Sequence, residues 1–279
     1  MTVGIYGLGL IGGSMAKSIK LHTGHTVLGV DINESEQLKA ELVGAIDGRL
    51  TDENLGDCDL VIVALYPAAI LDCIKQRADQ FKWGALVVDC GGVKGAFCDE
   101  LYEVAERHGF RFIGGHPMAG REYSGFQYAQ DDLFERASMI LCAAPNESID
   151  VIAQAKAFFL DMGFLRVVFC TPCQHDEMIA YTSQMAHIIS SAYVKSELAQ
   201  KHKGFSAGSF ADMTRVARLN ERMWSELFLA NREPLVHELD GMIARLCDYR
   251  DAIARADEAL LIPLLRQGRE IKESLSRTD

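Results

Sequence analysis

Short apolar runs alternate with helical patterns through the first part of the chain, residues 1–171. The runs are rich in Val, Ile and Leu, and most are apolar without interruption, which is typical of strands buried on both faces. The predicted strands are Val3–Tyr6, Thr26–Val30, Leu60–Leu65, Ala85–Asp89, Arg111–Gly114, Ser138–Cys142 and Leu165–Cys170. The helical segments between the early strands are Gly13–Leu21, Glu34–Leu42, Ala68–Gln80 and Gly95–Arg107. This α/β alternation predicts right-handed crossovers and a mainly parallel, doubly wound sheet.

The pattern changes after Cys170, where the strand signals stop and helical periodicity takes over. Thr171 is suited to the N-cap of a helix, Pro172 to its first position and Gln174 to the third position of a capping box. The helical pattern that starts there runs to about His202. We therefore predict two domains, residues 1–171 with the sheet and residues 172–279 entirely α-helical.

Further helices are predicted to start at Ser209, from the Ser-x-x-Asp spacing to Asp212, and at Asn220. The later helical segments are apolar on more than one side. Their apolar residues include Leu227, Phe228, Leu235, Leu239, Met242, Ile243, Leu246, Leu260, Leu261, Ile262, Leu264 and Leu265. A second copy of the chain would cover such faces best, so we predict a homodimer through the C-terminal helices.

The charge balance narrows the range of partners. Of the 279 residues, 28 are Lys or Arg and 39 are Asp or Glu, which gives a net charge of −11. The sequence has no basic cluster of the kind that binds nucleic acid, and no apolar run of about 18 residues that could span a bilayer. We expect neither a nucleic-acid nor a membrane partner. An anionic small-molecule substrate would need a local Arg, because the overall charge opposes it.

The eight cysteines are scattered through apolar segments, as in proteins of a reducing compartment. We expect no signal peptide and a cytoplasmic location. Cys170 and Cys173 form a Cys-x-x-Cys motif. Such a motif can be a redox dithiol or half of a zinc site, and the alternative is a pair of ordinary thiols. The sequence has no second pair of this kind, so we predict no metal.

A glycine motif, Gly7-Leu8-Gly9-Leu10-Ile11-Gly12, follows the first predicted strand and precedes a helix. Gly7 permits the tight turn, Gly9 leaves room for a pyrophosphate, and Gly12 lets helix and strand pack closely. The helix N-terminus then offers N–H groups and a positive dipole end to the phosphates. The arrangement predicts a Rossmann-type dinucleotide site, against the alternative of a glycine turn without a ligand.

Asp31 lies at the end of the second predicted strand, where a carboxylate accepts the ribose hydroxyls of NAD. Its charge would repel the 2′-phosphate of NADP, and no Arg or Lys follows directly. We therefore predict NAD as the cofactor.

His116 stands in the segment Gly114-Gly115-His116-Pro117, which follows the fifth predicted strand as a loop. Ligands of open α/β sheets bind at the carboxyl ends of the strands, so we expect this loop to face the nicotinamide. A neutral imidazole accepts a proton near pH 7, which makes His116 a candidate base. The alternative is a loop histidine that caps a backbone carbonyl.

Together these motifs resemble the prephenate/arogenate dehydrogenase family of tyrosine biosynthesis, and the resemblance covers most of the chain. The blocks that carry it are the glycine motif continued by Gly13-Ser14, Gly115-His116-Pro117-Met118-Ala119-Gly120-Arg121-Glu122, His175-Asp176, Ser183 with His187, Asp212-x-Thr214-Arg215, and Trp224 through Asn231.

The resemblance implies roles for the residues that match. His116 would accept a hydrogen bond from the ring hydroxyl of the substrate, and Ser183 and His187 would contact the substrate from the helical domain. Arg215 would clamp a carboxylate, although an ion pair with Asp212 is the alternative reading of that pair. Glu122, Asp212 and Trp224 would lie near the pocket.

Some features stand apart from those family motifs. The sequence has Gly92 in the Gly-Gly-Val-Lys turn, where the family has a serine beside the catalytic histidine and the nicotinamide. His116 therefore has to be oriented by another group. Asp176, Ser183 and His187 are spaced seven and four residues apart, which predicts one stripe of one helix, either solvated or lining a site.

The implied reaction is the NAD-dependent oxidative decarboxylation of prephenate to 4-hydroxyphenylpyruvate. An arogenate or dual-substrate cyclohexadienyl dehydrogenase is the nearest alternative, and a non-catalytic NAD-sensing protein is an alternative of another class. A β-hydroxyacid dehydrogenase would need an Asn four residues after a catalytic Lys, whereas Ala199 follows Lys195 at that distance.

Overall fold

The computed structural model describes residues 1–120 and 123–276. Its strands are β1 (Thr2–Tyr6), β2 (Thr26–Val30), β3 (Gly48–Arg49), β4 (Leu60–Val63), β5 (Leu86–Asp89), β6 (Arg111–Pro117), β7 (Ser138–Ala143) and β8 (Arg166–Phe169). The helices that lie among them are α1 (Leu10–His22), α2 (Glu34–Leu42), α3 (Pro67–Gln76), α4 (Cys98–His108) and α5 (Ile149–Asp161). After the last strand come α6 (Pro172–Ile179), α7 (Met185–Tyr193), α8 (Gly208–Thr214), α9 (Glu221–Ala230), α10 (Arg232–Ala254) and α11 (Glu258–Leu275).

All of these strands form one sheet in the order β3-β2-β1-β4-β5-β6-β7-β8. The pairs are parallel except for β6 with β7, which are antiparallel. The strand order reverses between β1 and β4, and a crevice opens at such a point beside the carboxyl ends of the strands. The predicted doubly wound sheet is therefore confirmed.

Both faces of the sheet carry an apolar core. Along β4, Leu60 and Ile62 pack into one core while Val61 and Val63 pack into the other, and all four are almost fully buried. This explains why the strand reads as an unbroken apolar run rather than an alternating one. The short strand β3 escaped prediction because two residues, Gly and Arg, carry no such signal.

One boundary changes the setting of His116. The strand β6 continues to Pro117, and His116 pairs with Ile140 of the antiparallel β7. The prediction of a loop after Gly114 is therefore wrong. Pairing with β7 holds the histidine on extended, hydrogen-bonded backbone, which constrains the direction of its ring.

The predicted helix from Pro172 to about His202 is also corrected. It consists of α6, a π-helical turn over Ala180–Gln184, and α7, which ends at Tyr193. The polar segment after Val194 offers almost no apolar side chain to pack, so the helix does not continue. Because the π turn holds an extra residue, the seven-residue spacing no longer defines a single stripe.

The predicted helix starts have different outcomes. The Thr171 capping box is present, and Asn220 accepts a hydrogen bond from the backbone N–H of Met223 at 3.0 Å. Ser209 lies inside α8, whose N-cap is Ala207, so that predicted start is wrong.

The chain forms two compact units, Met1–Arg232 and Glu233–Asp279. The predicted division at residue 171 follows the change from strand to helix, and it stays a prediction. Among the described residues, no helix has the length and apolarity that crossing a membrane requires.

A buried ion pair stands at the carboxyl end of β5. Asp89 and Lys94 contact each other with both side chains fully buried. Asp89 also accepts hydrogen bonds from the backbone N–H groups of Gly91, at 2.7 Å, and Gly115, at 2.9 Å. The pair thereby ties the turn after β5 to the end of β6, which carries His116.

We expect Asp89→Ala to lower the free energy of unfolding by about 3–5 kcal/mol, because it leaves the Lys94 ammonium buried without a partner. Urea denaturation followed by circular dichroism measures the change. Glu100→Ala is the matched control, since it breaks an exposed pair with Lys75 and should cost at most about 1 kcal/mol. Equal losses in the two variants would contradict the role of the buried pair.

Candidate active site

The glycine turn between β1 and α1 has the shape that a dinucleotide needs. Gly7 has a φ of +87°, and a Cβ on it would stand 2.4 Å from the carbonyl oxygen of Ala64. A Cβ on Gly12 would stand 1.8 Å from the carbonyl oxygen of Gly7. A Cβ on Gly9 would meet nothing within 4 Å. Packing therefore requires glycine at positions 7 and 12, whereas the space beside Gly9 is open to a ligand.

The start of α1 supplies donors beside that space. Gly9 is the N-cap, and the first helical hydrogen bond runs from the N–H of Gly13 to the carbonyl of Gly9 at 2.9 Å. The N–H groups of Leu10, Ile11 and Gly12 therefore have no acceptor within the helix. Such a terminus stabilises phosphate oxygens through these donors and through the helix dipole.

Asp31 is bound to the turn itself. One oxygen of its carboxylate accepts a hydrogen bond from the N–H of Leu8 at 2.7 Å, and the other accepts from the N–H of Asn33 at 2.8 Å. The Leu8 side chain is fully buried in the core, so its part in the turn is structural. The carboxylate remains partly exposed, with lone pairs left for ribose hydroxyls.

Gly92 follows β5 and lies near His116. A Cβ on Gly92 would stand 3.0 Å from a methyl carbon of Leu227 and 4.0 Å from Cε1 of His116. Leu227 belongs to α9, so this contact brings α9 over the turn. A larger side chain at position 92 would be crowded by Leu227.

His116 is the first member of a hydrogen-bonded series. Its Nδ1 lies 2.9 Å from Nε2 of His175, and Nδ1 of His175 lies 2.7 Å from Oδ1 of Asp176. Asp176 also accepts from the backbone N–H groups of Lys94, at 2.8 Å, and Gly95, at 2.7 Å. His116 is thus oriented by a second histidine rather than by a hydroxyl at position 92.

The surroundings of His116 favour its neutral form. Burial lowers the pKa of His116 well below 6.5, and the nearby His175 and Lys94 lower it further. Nε2 of His116 makes no hydrogen bond to the residues that the structure describes, so it is free to meet a ligand. A neutral, partly buried imidazole with one nitrogen available is suited to accept a proton.

A second group of predicted site residues lies on the helices α7 and α9. The rings of His187 and Trp224 lie with their centroids 3.9 Å apart, and Nδ1 of His187 is 3.0 Å from the carbonyl oxygen of Val216. Arg215 directly precedes Val216 and is exposed at the C-terminal end of α8. The structure therefore brings His187, Trp224 and the backbone of Arg215 together.

Leu227 connects this group to the sheet. It lies one helical turn after Trp224 on α9, and it packs both on the turn at Gly92 and on the core beneath it. The contacts thus lead from His187 through α9 to Gly92 and His116.

The remaining predicted residues are placed less closely. Ser183 lies in the π-helical turn and is partly buried, and Asp212 is exposed on α8. The predicted stripe is split, because Asp176 points into the turn at Lys94 while His187 contacts Val216. Glu122 lies outside the described residues.

Several residues of the site were missed by sequence reasoning. His175 entered only through the resemblance and Asp176 also through the predicted stripe, and neither was predicted to orient His116, although two adjacent titratable residues at a helix start are a usable signal. Asn231 is buried and donates to the carbonyl of Asp176 and to Oε1 of Gln184, both at 2.8 Å. Lys94 gave no signal, because a lysine is rarely fully buried.

The Cys-x-x-C pair does not come together as a pair. Sγ of Cys170 lies 3.7 Å from Sγ of Cys142, whereas Cys173 contacts Glu177. Burial raises the pKa of Cys170, and the hydrogen bond to Glu177 raises that of Cys173. Within the described ranges, no group of His, Cys, Asp or Glu side chains is arranged to hold a metal ion.

Comparison with known proteins gives a consistent result over both parts of the chain. A family model described as prephenate dehydrogenase, nucleotide-binding domain, matches residues 15–169. A second, described as prephenate dehydrogenase, dimerization domain, matches residues 171–267.

Individual relatives agree with these models. The prephenate dehydrogenase of Lactococcus lactis is 29% identical over 97% of this chain and 76% of its own length. The cyclohexadienyl dehydrogenase of Zymomonas mobilis is 27% identical over 99% of this chain and 96% of its own.

A solved structure extends the agreement to three dimensions. The prephenate dehydrogenase from A. aeolicus, in complex with hydroxyphenyl propionate and NAD+, superposes with a TM-score of 0.81 at 28% identity. The match covers all of this chain and 98% of that one. The resemblance of the sequence motifs is thus confirmed, and this chain belongs to the prephenate dehydrogenase family.

Proposed function

We propose that this protein oxidises and decarboxylates prephenate to 4-hydroxyphenylpyruvate, with NAD+ as the hydride acceptor, in tyrosine biosynthesis. The observation that carries the proposal is His116, oriented by His175 at the carboxyl edge of the sheet that also holds the glycine turn, with Nε2 not bonded within the described residues. Membership of the family supports the substrate class.

The cofactor proposal rests on the glycine turn and on charge. The open space at Gly9 and the N–H groups that begin α1 suit a pyrophosphate. The carboxylate of Asp31 would accept the ribose hydroxyls and repel a 2′-phosphate. Arg49 pairs with Gly29 near the end of β2, and its guanidinium forms ion pairs with Glu34 at 2.8 Å and Glu41 at 2.5 Å. Because these carboxylates engage Arg49, it is poorly placed to bind a 2′-phosphate, which favours NAD+ over NADP+.

His116 would accept the proton of the substrate hydroxyl and later return it. As the carbinol carbon loses hydride, Nε2 of His116 takes the hydroxyl proton and a ring carbonyl forms. The carbon–carbon bond to the ring carboxylate then breaks and releases carbon dioxide, and its electron pair aromatises the ring. The phenolic oxygen recovers the proton from His116, so the residue ends as it began.

The helical part would hold the two carboxylates of prephenate. Arg215 is the proposed clamp, because a guanidinium binds both oxygens of a carboxylate and offsets the negative charge of the chain. His187 and Trp224 would form the wall of the pocket, with Ser183 beside them. Direct substrate contacts by Glu122 and Asp212 stay predictions.

Arogenate is the second candidate substrate, and the similarity to the cyclohexadienyl dehydrogenase of Z. mobilis favours testing it. Gln184 is buried, with its amide hydrogen-bonded to the carbonyl of Leu227 at 3.3 Å and to Asn231. The amide of Gln184 is therefore engaged in hydrogen bonds within the protein. It is not available to distinguish the side chain of prephenate from that of arogenate.

A homodimer is proposed from the second compact unit. Four apolar side chains of α10, at spacings of seven, three and seven residues, lie on one face and are about half exposed: Val236, Ile243, Leu246 and Ile253. The helix α11 also exposes apolar side chains, which are Leu260, Ile262, Leu265 and Ile271. The match to a dimerization domain supports a second copy as their cover.

The cofactor site is tested by Gly9→Ala. The added methyl meets nothing in the protein, so the melting temperature should be unchanged, while it occupies the space of the pyrophosphate. We expect NAD+ affinity, measured by calorimetry, to fall at least about tenfold. Gly7→Ala is the contrast, because it should destabilise the fold through its clash with Ala64. Unchanged NAD+ affinity in Gly9→Ala would remove the proposed site.

The reaction is tested with purified protein, prephenate or arogenate, and NAD+ or NADP+. We expect prephenate and NAD+ to yield one carbon dioxide per NADH. His116→Asn should lower kcat by about 10²–10⁴-fold with near-normal NAD+ affinity, because only the base is lost. Binding of NAD+ without turnover of either substrate would instead indicate the non-catalytic alternative.

The dimer is tested by placing two charges on the exposed face of α10. Ile243→Glu with Leu246→Glu should convert a dimer to a monomer in sedimentation velocity. Asp248→Lys changes the charge on another side of the same helix and should leave the dimer intact. A wild-type monomer at micromolar concentration would contradict the proposal.

A further inference from the structure

We infer that His175 and Asp176 are positioning residues that hold His116 in a single tautomer, with its proton on Nδ1 and its lone pair on Nε2. The inference concerns the arrangement of two hydrogen bonds and rests on the proposed function only for its consequence in catalysis. Its basis is the series from His116 through His175 to Asp176, with separations of 2.9 and 2.7 Å.

Asp176 determines the direction of the series. Its side chain is almost fully buried. Its two oxygens accept hydrogen bonds from the backbone N–H groups of Lys94 and Gly95 and from the ring of His175. A carboxylate that receives three hydrogen bonds acts only as an acceptor. Nδ1 of His175 must therefore carry the proton that lies between the two side chains.

The second hydrogen bond follows from the first. A neutral imidazole has one N–H, so Nε2 of His175 is left with a lone pair. The bond of 2.9 Å to His116 then requires that Nδ1 of His116 be the donor. The lone pair of His116 consequently lies on Nε2, the nitrogen that makes no bond to the described residues.

Both histidines lie on regular elements of secondary structure, which fix the position of their backbone. The His175 side chain is fully buried in the first turns of α6, which the Thr171 capping box fixes. His116 is held by the antiparallel pairing of β6 with β7. Two rigid elements thus present the rings to each other with centroids 5.1 Å apart.

The surroundings of the pair favour the neutral form of His116, which the single tautomer requires. Lys94, in the turn after β5, lies near enough to His116 to lower its pKa, and Asp176 hydrogen-bonds to His175 within α6. Burial and the neighbouring His175 and Lys94 lower the pKa of His116, so the ring stays neutral and ready to accept a proton. Once Nε2 is protonated, the chain of acceptors towards Asp176 stabilises the positive charge.

The tautomer is measured by NMR on protein with ¹⁵N-labelled histidine, where protonated and unprotonated ring nitrogens have distinct shifts. The signals of His116 are identified by their loss in His116→Asn. We expect a protonated Nδ1 and an unprotonated Nε2 in the wild type at pH 7.5. A protonated Nε2 on a neutral His116 would overturn the inference, as would a doubly protonated His175.

Variants of His175 test the consequence. His175→Phe preserves the ring but removes the acceptor, and we expect a mixture of His116 tautomers and a kcat lower by about tenfold or more. His175→Gln places an amide oxygen within reach of Nδ1, so the single tautomer and part of the kcat should return. An unchanged tautomer in His175→Phe would contradict the positioning role.

A matched control is available on the surface. His108 and Asp79 form a similar pair, with Nδ1 and Oδ1 2.7 Å apart, remote from the site. His108→Phe should change neither kcat nor the signals of His116. The NMR result stands apart from turnover: an enzyme inactive on prephenate with the expected tautomer removes the proposed function alone, and an active enzyme with the other tautomer removes the inference alone.

Discussion

The carboxylate of Asp176 receives three hydrogen bonds from two different parts of the fold, and the geometry of the site depends on them. Two come from the backbone of the turn after β5, and the third comes from His175. An acceptor buried in this way costs free energy unless all its donors are in place. The turn, the start of α6 and the ring of His116 are therefore fixed together.

A second buried carboxylate, that of Asp89, also stabilises the turn after β5. Asp89 binds Lys94 and the N–H groups of Gly91 and Gly115, so it joins β5 to β6 beneath the histidine. The two carboxylates thus hold the backbone of residues 91–95 from opposite ends. The backbone at Gly92 is therefore held in place although the residue has no side chain to pack.

The sequence was sufficient for features that depend on local pattern. Apolar runs located most of the strands, the spacing of three glycines located the turn at Gly7, and Glu34–Leu42 matched its helix at both ends. It failed where a tertiary contact decides the outcome. The extension of β6 through His116 depends on pairing with β7, and the π turn before Met185 has no local signature in the sequence.

The site shows the same division. The prediction that another group must orient His116 followed from Gly92, but which group could not be read from a residue 59 positions away. His175 and Leu227 approach Gly92 and His116 only because the helices after β8 fold back over the carboxyl edge of the sheet. Long-range packing of this kind leaves no trace in residue spacing.

The central claim is that a neutral His116 accepts the proton of the substrate, and the pH dependence of kcat/KM tests it most directly. The neutral form persists below pH 6.5, because burial, His175 and Lys94 all lower the pKa of His116. We predict that kcat/KM for prephenate stays level as the pH falls through 6.5 and declines only at lower pH. A decline centred at or above pH 6.5 would contradict the account.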